Sequence, residues 1–311
     1  MYLVRGRNLL GQDLADPTRD YSNLLAERKR QGFKALRGEP MNLLLTKSNW
    51  EMLDEPLEAF LSRARGDRFD AVEINLAPLP EEPAEVAAKT AAQGLKLLAQ
   101  IITNGSGPAA HLATLEERFL AAAQAEPLLI NGHIGHDTFT LEENLPIFRR
   151  ACELSRETGI PFSAETHRSR PTGSVSGTRH LLEALPELRL NADFSHWACV
   201  HESDLADQEE TLDLAMRRAI HIHARVGFAE GPQVPDPLAP EWESWTQLHL
   251  RWWRRILELR KAAGIEWQTL TPEFGPPPYM MLHPADGSPL ADAWTVNCRF
   301  AAFLREHLVE T

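Results

Sequence analysis

The stretch Ile220–Gly227, IHIHARVG, decides how this chain folds. As a β-strand it puts His221, His223 and Arg225 on one face at period two, and Ile220, Ile222, Ala224 and Val226 on the other. Neither face suits solvent. The apolar side packs under helices, so the polar side points into an enclosed space, where imidazoles and a guanidinium are costly unless something binds them. A metal ion and a substrate are the partners expected there.

Around this strand the chain repeats an apolar strand and an amphipathic helix at spacings near 30 residues, the pattern of a parallel sheet built from βαβ units. The strands are predicted at Met41–Leu45, Phe69–Leu76, Leu95–Thr103, Leu128–Gly135, Pro161–His167, Leu190–Trp197, Ile220–Gly227 and Trp267–Gly275. Helices are predicted at Pro56–Ala64, Pro83–Gln93, Ala109–Ala125, Leu141–Thr158, Thr178–Leu185, Asp207–Arg218, Glu241–Ala263 and Pro289–Val309, several ending near Gly66, Gly94, Gly159 or Gly264. Eight of each is the count of a (β/α)8 TIM barrel. A doubly wound sheet would carry a Gly-rich fingerprint after its first strand, and LLLTKSNWE has no glycine. Residues 41–311 are read as one catalytic domain. Residues 1–40, polar and with one short helix around Tyr21–Gln31, are read as an N-terminal extension, either a mobile arm or a start assigned upstream of Met41.

The net charge of −12 and the lack of a long basic run argue against nucleic acid or anionic lipid as a partner. Three cysteines, Cys152, Cys199 and Cys298, fit a reducing compartment, and no run approaches the roughly 18 apolar residues of a membrane span, so a cytoplasmic location is expected. A small molecule is the expected partner, and a homo-oligomer is allowed. Phe228–Pro240 and GPPPY at Gly275–Tyr279 break the rhythm at C-terminal strand ends, where barrel enzymes keep their sites; they read as walls or a lid, or as plain surface connections.

Metal-ligand residue types fall at the ends of four consecutive strands: Glu165 in SAETH, Asp193 in NADFSHW, His223 in IHIH and Glu273 in TPEFG. Three carboxylates and an imidazole converging on one point repel unless a cation sits between them. One divalent ion per chain is expected, Mn²⁺ first, with Mg²⁺, Co²⁺ and Zn²⁺ also fitting this donor set.

The run ETH, DFSHW, HIHAR and PEFG resembles the xylose isomerase-like TIM-barrel superfamily, the sugar phosphate isomerases and epimerases. In the ketose 3-epimerases to which it is similar, a Glu, an Asp, a His and a Glu from strands five to eight hold one divalent metal; Glu165, Asp193, His223 and Glu273 match those places. The resemblance puts His196, in the D-x-x-H motif, beside substrate oxygens. The Arg those epimerases carry six residues after the ligand His is Ala229 here, and Arg225 stands as its substitute.

Such a site supports isomerisation or epimerisation of a small sugar, keto-sugar or polyol derivative through a metal-stabilised enediolate, with Glu165 and Glu273 as general base and general acid. His133, His167 and Glu73 are further candidates for binding substrate hydroxyls, with Asn75, Asn131 and His136 as softer ones, and His221 as support below His223. Trp50 and Trp197 offer flat faces to a sugar or pack between helix and barrel; Trp245, Trp252 and Ile256 form a helical stripe for the core or a subunit contact. No Gly-rich loop follows strand seven or eight, so phosphate recognition is unsupported by the sequence, although Arg168 and Arg170 in ETHRSRPTGS could meet an anionic group. The alternatives are a metal-dependent sugar lyase, dehydratase or deglycosidase on the same barrel and, further off, a non-catalytic polyol-binding barrel or a DNA repair endonuclease.

Overall fold

The structure, a computed structural model, describes residues 41–308, so the readings made for residues 1–40 lie outside the described residues. Eight parallel strands close into a barrel in sequence order: β1 (Asn42–Ser48), β2 (Ala71–Asn75), β3 (Lys96–Ile102), β4 (Ile130–His133), β5 (Phe162–Glu165), β6 (Leu190–Ala192), β7 (Ala219–Ala224) and β8 (Trp267–Pro272). The ring shuts where β1 pairs with β8, Asn42 opposite Trp267 and Leu45 opposite Leu270. Outside it run α1 (Leu57–Gly66), α2 (Pro83–Ala92), α3 (Pro108–Ala123), α4 (Leu141–Thr158), α5 (Val175–Ala184), α6 (Ser195–Val200), α7 (Glu209–Arg218), α8 (Glu243–Ala262) and α9 (Ala293–Leu308). The expected (β/α)8 barrel is the observed fold. Among the described residues no helix is long and apolar enough to cross a membrane.

Alternation along the strands divides the core in two. Val72, Ile130, Phe162, Leu190, Ile222 and Leu270 face the helices and join their apolar stripes. The opposite faces look inward, where Ala71, Leu98 and Leu129 form a small apolar cluster. Two residues further along β2 and β4, the same faces carry Glu73 and Asn131, so the polar layer lies toward the C-terminal end of the barrel.

Local chemistry sets the element ends. Thr140 and Glu143 cap α4 reciprocally, the Thr140 hydroxyl accepting from Glu143 N–H (3.3 Å) and the Glu143 carboxylate from Thr140 N–H (2.8 Å); Gly159, at φ 70°, closes the helix in the left-handed region. The predicted strand Leu190–Trp197 stops at Ala192. Asp193 Oδ1 accepts from the Ser195 N–H at 3.1 Å and from the Ser195 hydroxyl, a turn that diverts the chain into α6. Trp197 accordingly lies wholly buried, donating Nε1–H to Thr172 O (2.8 Å) and stacking on Phe194: it is a packing residue.

The turn after β7 is held against α6 and α8. A Cβ on Gly227 would sit 2.7 Å from Ser195 O, so this approach admits only glycine. Buried His249 on α8 accepts from the Gly227 N–H through Nε2 (3.4 Å) and donates Nδ1–H to Trp245 O (2.9 Å). A second proton has no acceptor there, and burial lowers the pKa of His249 from 6.5 to about 4. Because the unfolded chain then binds the proton more readily, the stability tied to this residue is present above about pH 6.5 and lost as pH falls toward 4, on the order of 3 kcal/mol in full. Denaturant midpoints for wild type and His249→Gln should converge over that window; parallel profiles would show that the imidazole titrates alike in the folded and unfolded chain.

Candidate metal centre

Glu73, on β2, is 1% exposed and lies beneath the histidines of β7. Its Oε2 stands 2.9 Å from His223 Nε2 and 3.3 Å from His221 Nε2, and accepts from the Thr271 hydroxyl at 2.9 Å. Its Oε1 accepts from Asn131 Nδ2 (2.9 Å). Burial alone would raise the Glu73 pKa, but the charges and hydrogen bonds of His223 and His221 outweigh it and hold the carboxyl well below the usual range. Glu73 therefore fixes the Nε2–H of His223 and leaves Nδ1 facing the other way. Expected as a substrate contact, Glu73 stands under the cluster, and His221 shares that supporting position.

Nδ1 of His223 is 3.2 Å from Glu165 Oε2 and 2.8 Å from Glu273 Oε2, without hydrogen-bond geometry to either. Asp193 completes the group, one donor atom each from Glu165, Asp193 and His223 lying within 4.8 Å of one another. Asn131 and Asn191 donate to Glu165 Oε2 at 3.0 and 3.2 Å, and His133 Nε2 lies 2.7 Å from it. Burial raises Glu165, but His133 and His223 bring it well below the ordinary carboxylate value. Asp193 behaves oppositely: burial pushes its carboxyl up to about 7 although Arg225 is beside it. Arg225, 2% exposed, bridges Asp193 Oδ2 (Nε, 3.2 Å) and Glu273 Oε1 (Nη2, 2.9 Å).

Three imidazoles form a wall next to Glu165. His133 stacks on His167 with ring centres 4.5 Å apart, and His167 lies 4.2 Å from His196. His196 is fully buried, and neither of its nitrogens has a hydrogen-bond partner among the described residues. Burial, with His167 and Arg225 nearby, holds His196 far below 6.5, so its ring is neutral and offers one donor and one acceptor. Tyr279, from the GPPPY segment, was not singled out in the sequence. Its hydroxyl is 3.2 Å from His167 Nε2, and its ring packs edge-on against Trp50 at 5.0 Å and under Arg225 at 4.5 Å. Of the softer candidates, Asn131 joins the cluster, Asn75 accepts from Ala77 N–H in its own turn, and His136 pairs with Thr138.

The donor set fits a divalent cation. Four buried carboxylates, Glu73, Glu165, Asp193 and Glu273, face one guanidinium and a few imidazoles, and among the buried atoms there without a hydrogen-bond partner are His223 Nδ1 and Glu273 Oε2, which lie 2.8 Å apart. The Glu73–His221–His223 set also groups donor atoms closely, but its atoms already exchange hydrogen bonds with one another and with Thr271. The face formed by Glu165, Asp193, His223 and Glu273 is the candidate centre.

No family model and no curated protein matches the chain. Solved structures do match in shape. D-allulose 3-epimerase from Methylomonas sp. superposes with a TM-score of 0.60 at 12% identity, covering 86% of this chain and 99% of that one. 3-keto-D-glucoside 4-epimerase from E. coli gives 0.54 at 15%, covering 85% and 100%, and a xylose isomerase-like TIM barrel protein from Mycobacterium smegmatis, in complex with magnesium, gives 0.54 at 14%, covering 89% and 99%. The chain shares the eight-stranded barrel fold of these proteins. A probable 3-DHS dehydratase from Bacillus anthracis and endonuclease IV from Thermus thermophilus share it at 0.51, so the fold alone leaves the reaction open.

Replacing the support beneath His223 tests the centre. Glu73→Gln keeps an acceptor for Nε2–H but removes its charge, so Mn²⁺ affinity measured by calorimetry should fall about tenfold or more. Unchanged affinity would place the ion elsewhere.

Proposed function

We propose that the chain is a divalent-metal-dependent isomerase or epimerase acting on a small sugar, keto-sugar or polyol derivative, with Glu165, Asp193, His223 and Glu273 holding one ion, Mn²⁺ first among those that fit. The observation carrying this reading is the approach of two carboxylates, from the end of β5 and from just past β8, to the same imidazole nitrogen at 3.2 and 2.8 Å. A divalent ion held there supplies positive charge to a carbonyl and its neighbouring hydroxyl, easing loss of the proton on the carbon between them.

The remaining work belongs to side chains. Glu165, at the end of β5, and Glu273, just after β8, both reach the cluster, so one takes a proton from a substrate carbon and the other, protonated beforehand, returns one. Return to the far face of the same carbon is epimerisation; return to the adjacent carbon is isomerisation. His196, with neither nitrogen in a hydrogen bond among the described residues, and His133 and His167 beside it bind hydroxyls. Arg225 sets the directions of Asp193 and Glu273, and Trp50, packed against Tyr279, offers its face to C–H groups. The three free cysteines, Cys152 among them buried, suit a reducing cytoplasm.

Two measurements test the reading. Elemental analysis should find about one divalent ion per chain, lost in His223→Ala; no ion after Mn²⁺ is added back would remove the basis of the proposal. In D₂O, the Mn²⁺-loaded protein should exchange the proton beside the carbonyl of a ketose substrate, and Glu165→Gln or Glu273→Gln should each slow that exchange about a hundredfold or more. Full exchange in either variant would strip that residue of its assigned part.

A further inference from the structure

A groove of about 290 Å³ lies between the start of α4, the turn after β5, the first turns of α5 and the end of α6. Arg168 and Arg170 line it, with Phe139, Leu141, His180 and Val200. Neither arginine forms an ion pair among the described residues. The Arg168 guanidinium rests over the Tyr279 ring at 4.6 Å, while Arg170 donates through Nη1 to Thr103 O (3.2 Å) and Gly135 O (2.7 Å), its buried Nε having no partner. The one acid in the lining, Asp137, sits 3.1 Å from His136 Nδ1. In a chain of net charge −12, two arginines without a carboxylate partner, on one concave surface, call for an anion supplied from outside.

Arg168 belongs to the groove and to the mouth of the candidate centre alike. From the Tyr279 ring that it covers, the hydroxyl reaches His167 at 3.2 Å; His167 stacks on His133, whose Nε2 is 2.7 Å from Glu165. We propose that this groove seats the anionic end of the substrate, a carboxylate or phosphate, so that the substrate is an acidic sugar derivative rather than a neutral one. The inference rests on the sugar reading above. The volume lies at the lower end of ligand pockets and suits a terminal group better than a whole extended substrate. Phe139, Leu141 and Val200 supply apolar surface for the carbon chain next to the acid.

Calorimetry on the Mn²⁺-loaded full chain, with D-glucuronate, D-glucose 6-phosphate, D-glucose and inorganic phosphate as probes, tests this. One acidic sugar should bind about tenfold or more tightly than D-glucose, as a charge-assisted hydrogen bond to a guanidinium implies, and which acid wins separates carboxylate from phosphate. Arg168→Gln should erase the preference; its side chain has no hydrogen bond or ion pair among the described residues to lose. Val200→Trp, at a position 46% exposed on the groove, should weaken acidic-sugar binding by filling it, and serves if the first variant misfolds. Equal binding of acidic and neutral sugars, or a preference surviving both substitutions, overturns the inference while leaving the sugar reading intact. Phosphate bound through Arg168 with no sugar bound would support the anion site and remove the sugar reading instead. Binding of none of the four probes would overturn the groove as a site.

Discussion

Four carboxylates closed inside one barrel constrain everything else in this molecule. Glu73, Glu165 and Asp193 are at most 1% exposed and Glu273 8%. Two like charges about 4 Å apart repel by roughly 4 kcal/mol at an effective dielectric constant of about 20. A hydrogen bond to a charged group returns about 1.5–3 kcal/mol. Hydrogen bonds alone therefore cannot offset the several mutual repulsions of such a group, and positive charge must come from within the cluster or from an ion. The inward face answers with the charge of Arg225 across Asp193 and Glu273, and with imidazoles close to the other acids, His221 and His223 on Glu73 and His133 on Glu165. The high pKa of Asp193, near 7, marks the place where this compensation is least complete.

The barrel distributes the remaining tasks by height. Its apolar plug of Ala71, Leu98 and Leu129 shuts the interior, the strands carry acids and imidazoles above it, and loops make the rim. The two loops that interrupt the strand–helix rhythm are fastened together: Gln233 donates to Gly275 O (3.1 Å) and accepts from the Gly275 N–H (2.7 Å). Trp50 lies where a Cβ on Gly275 would have to go, which lets the GPPPY segment pack close and places Tyr279 over Arg225. The prolines and this clamp hold an ordered rim at low entropic cost.

Most of the barrel was legible because each strand pairs a helix-facing apolar row with an inward row, and the phase of β7 alone separates His221, His223 and Arg225 from Ile222 and Ala224. The four carboxylate and imidazole positions could be read from strand ends for the same reason. The end of β6 could not, since DFSHW alternates like a strand and only the Asp193–Ser195 turn reveals where the ladder stops. Glu73 was identified as an inward residue, but its depth depends on the stagger between β2 and β7, which periodicity within one strand does not encode. Tyr279 was missed because a residue following three prolines has no periodic neighbours, and its contacts with Trp50, His167 and Arg168 are all distant in sequence.

The two acids given to proton transfer are not equivalent. Glu165 Oε2 meets Asn131, Asn191 and His133, each within 3.2 Å, which ties its position and lowers its basicity. Glu273 is held by Arg225 through Oε1, while its Oε2 has no hydrogen-bond partner among the described residues, and it is the more exposed of the pair. The same charge set thus contains one carboxylate with hydrogen-bond partners on its site-facing oxygen and one whose site-facing oxygen has none among the described residues. In the proposed reaction this asymmetry suits Glu273, with one oxygen outside any hydrogen bond, to take a proton from a substrate carbon, whereas Glu165 returns a different proton only from a protonated form that its hydrogen-bond partners disfavour.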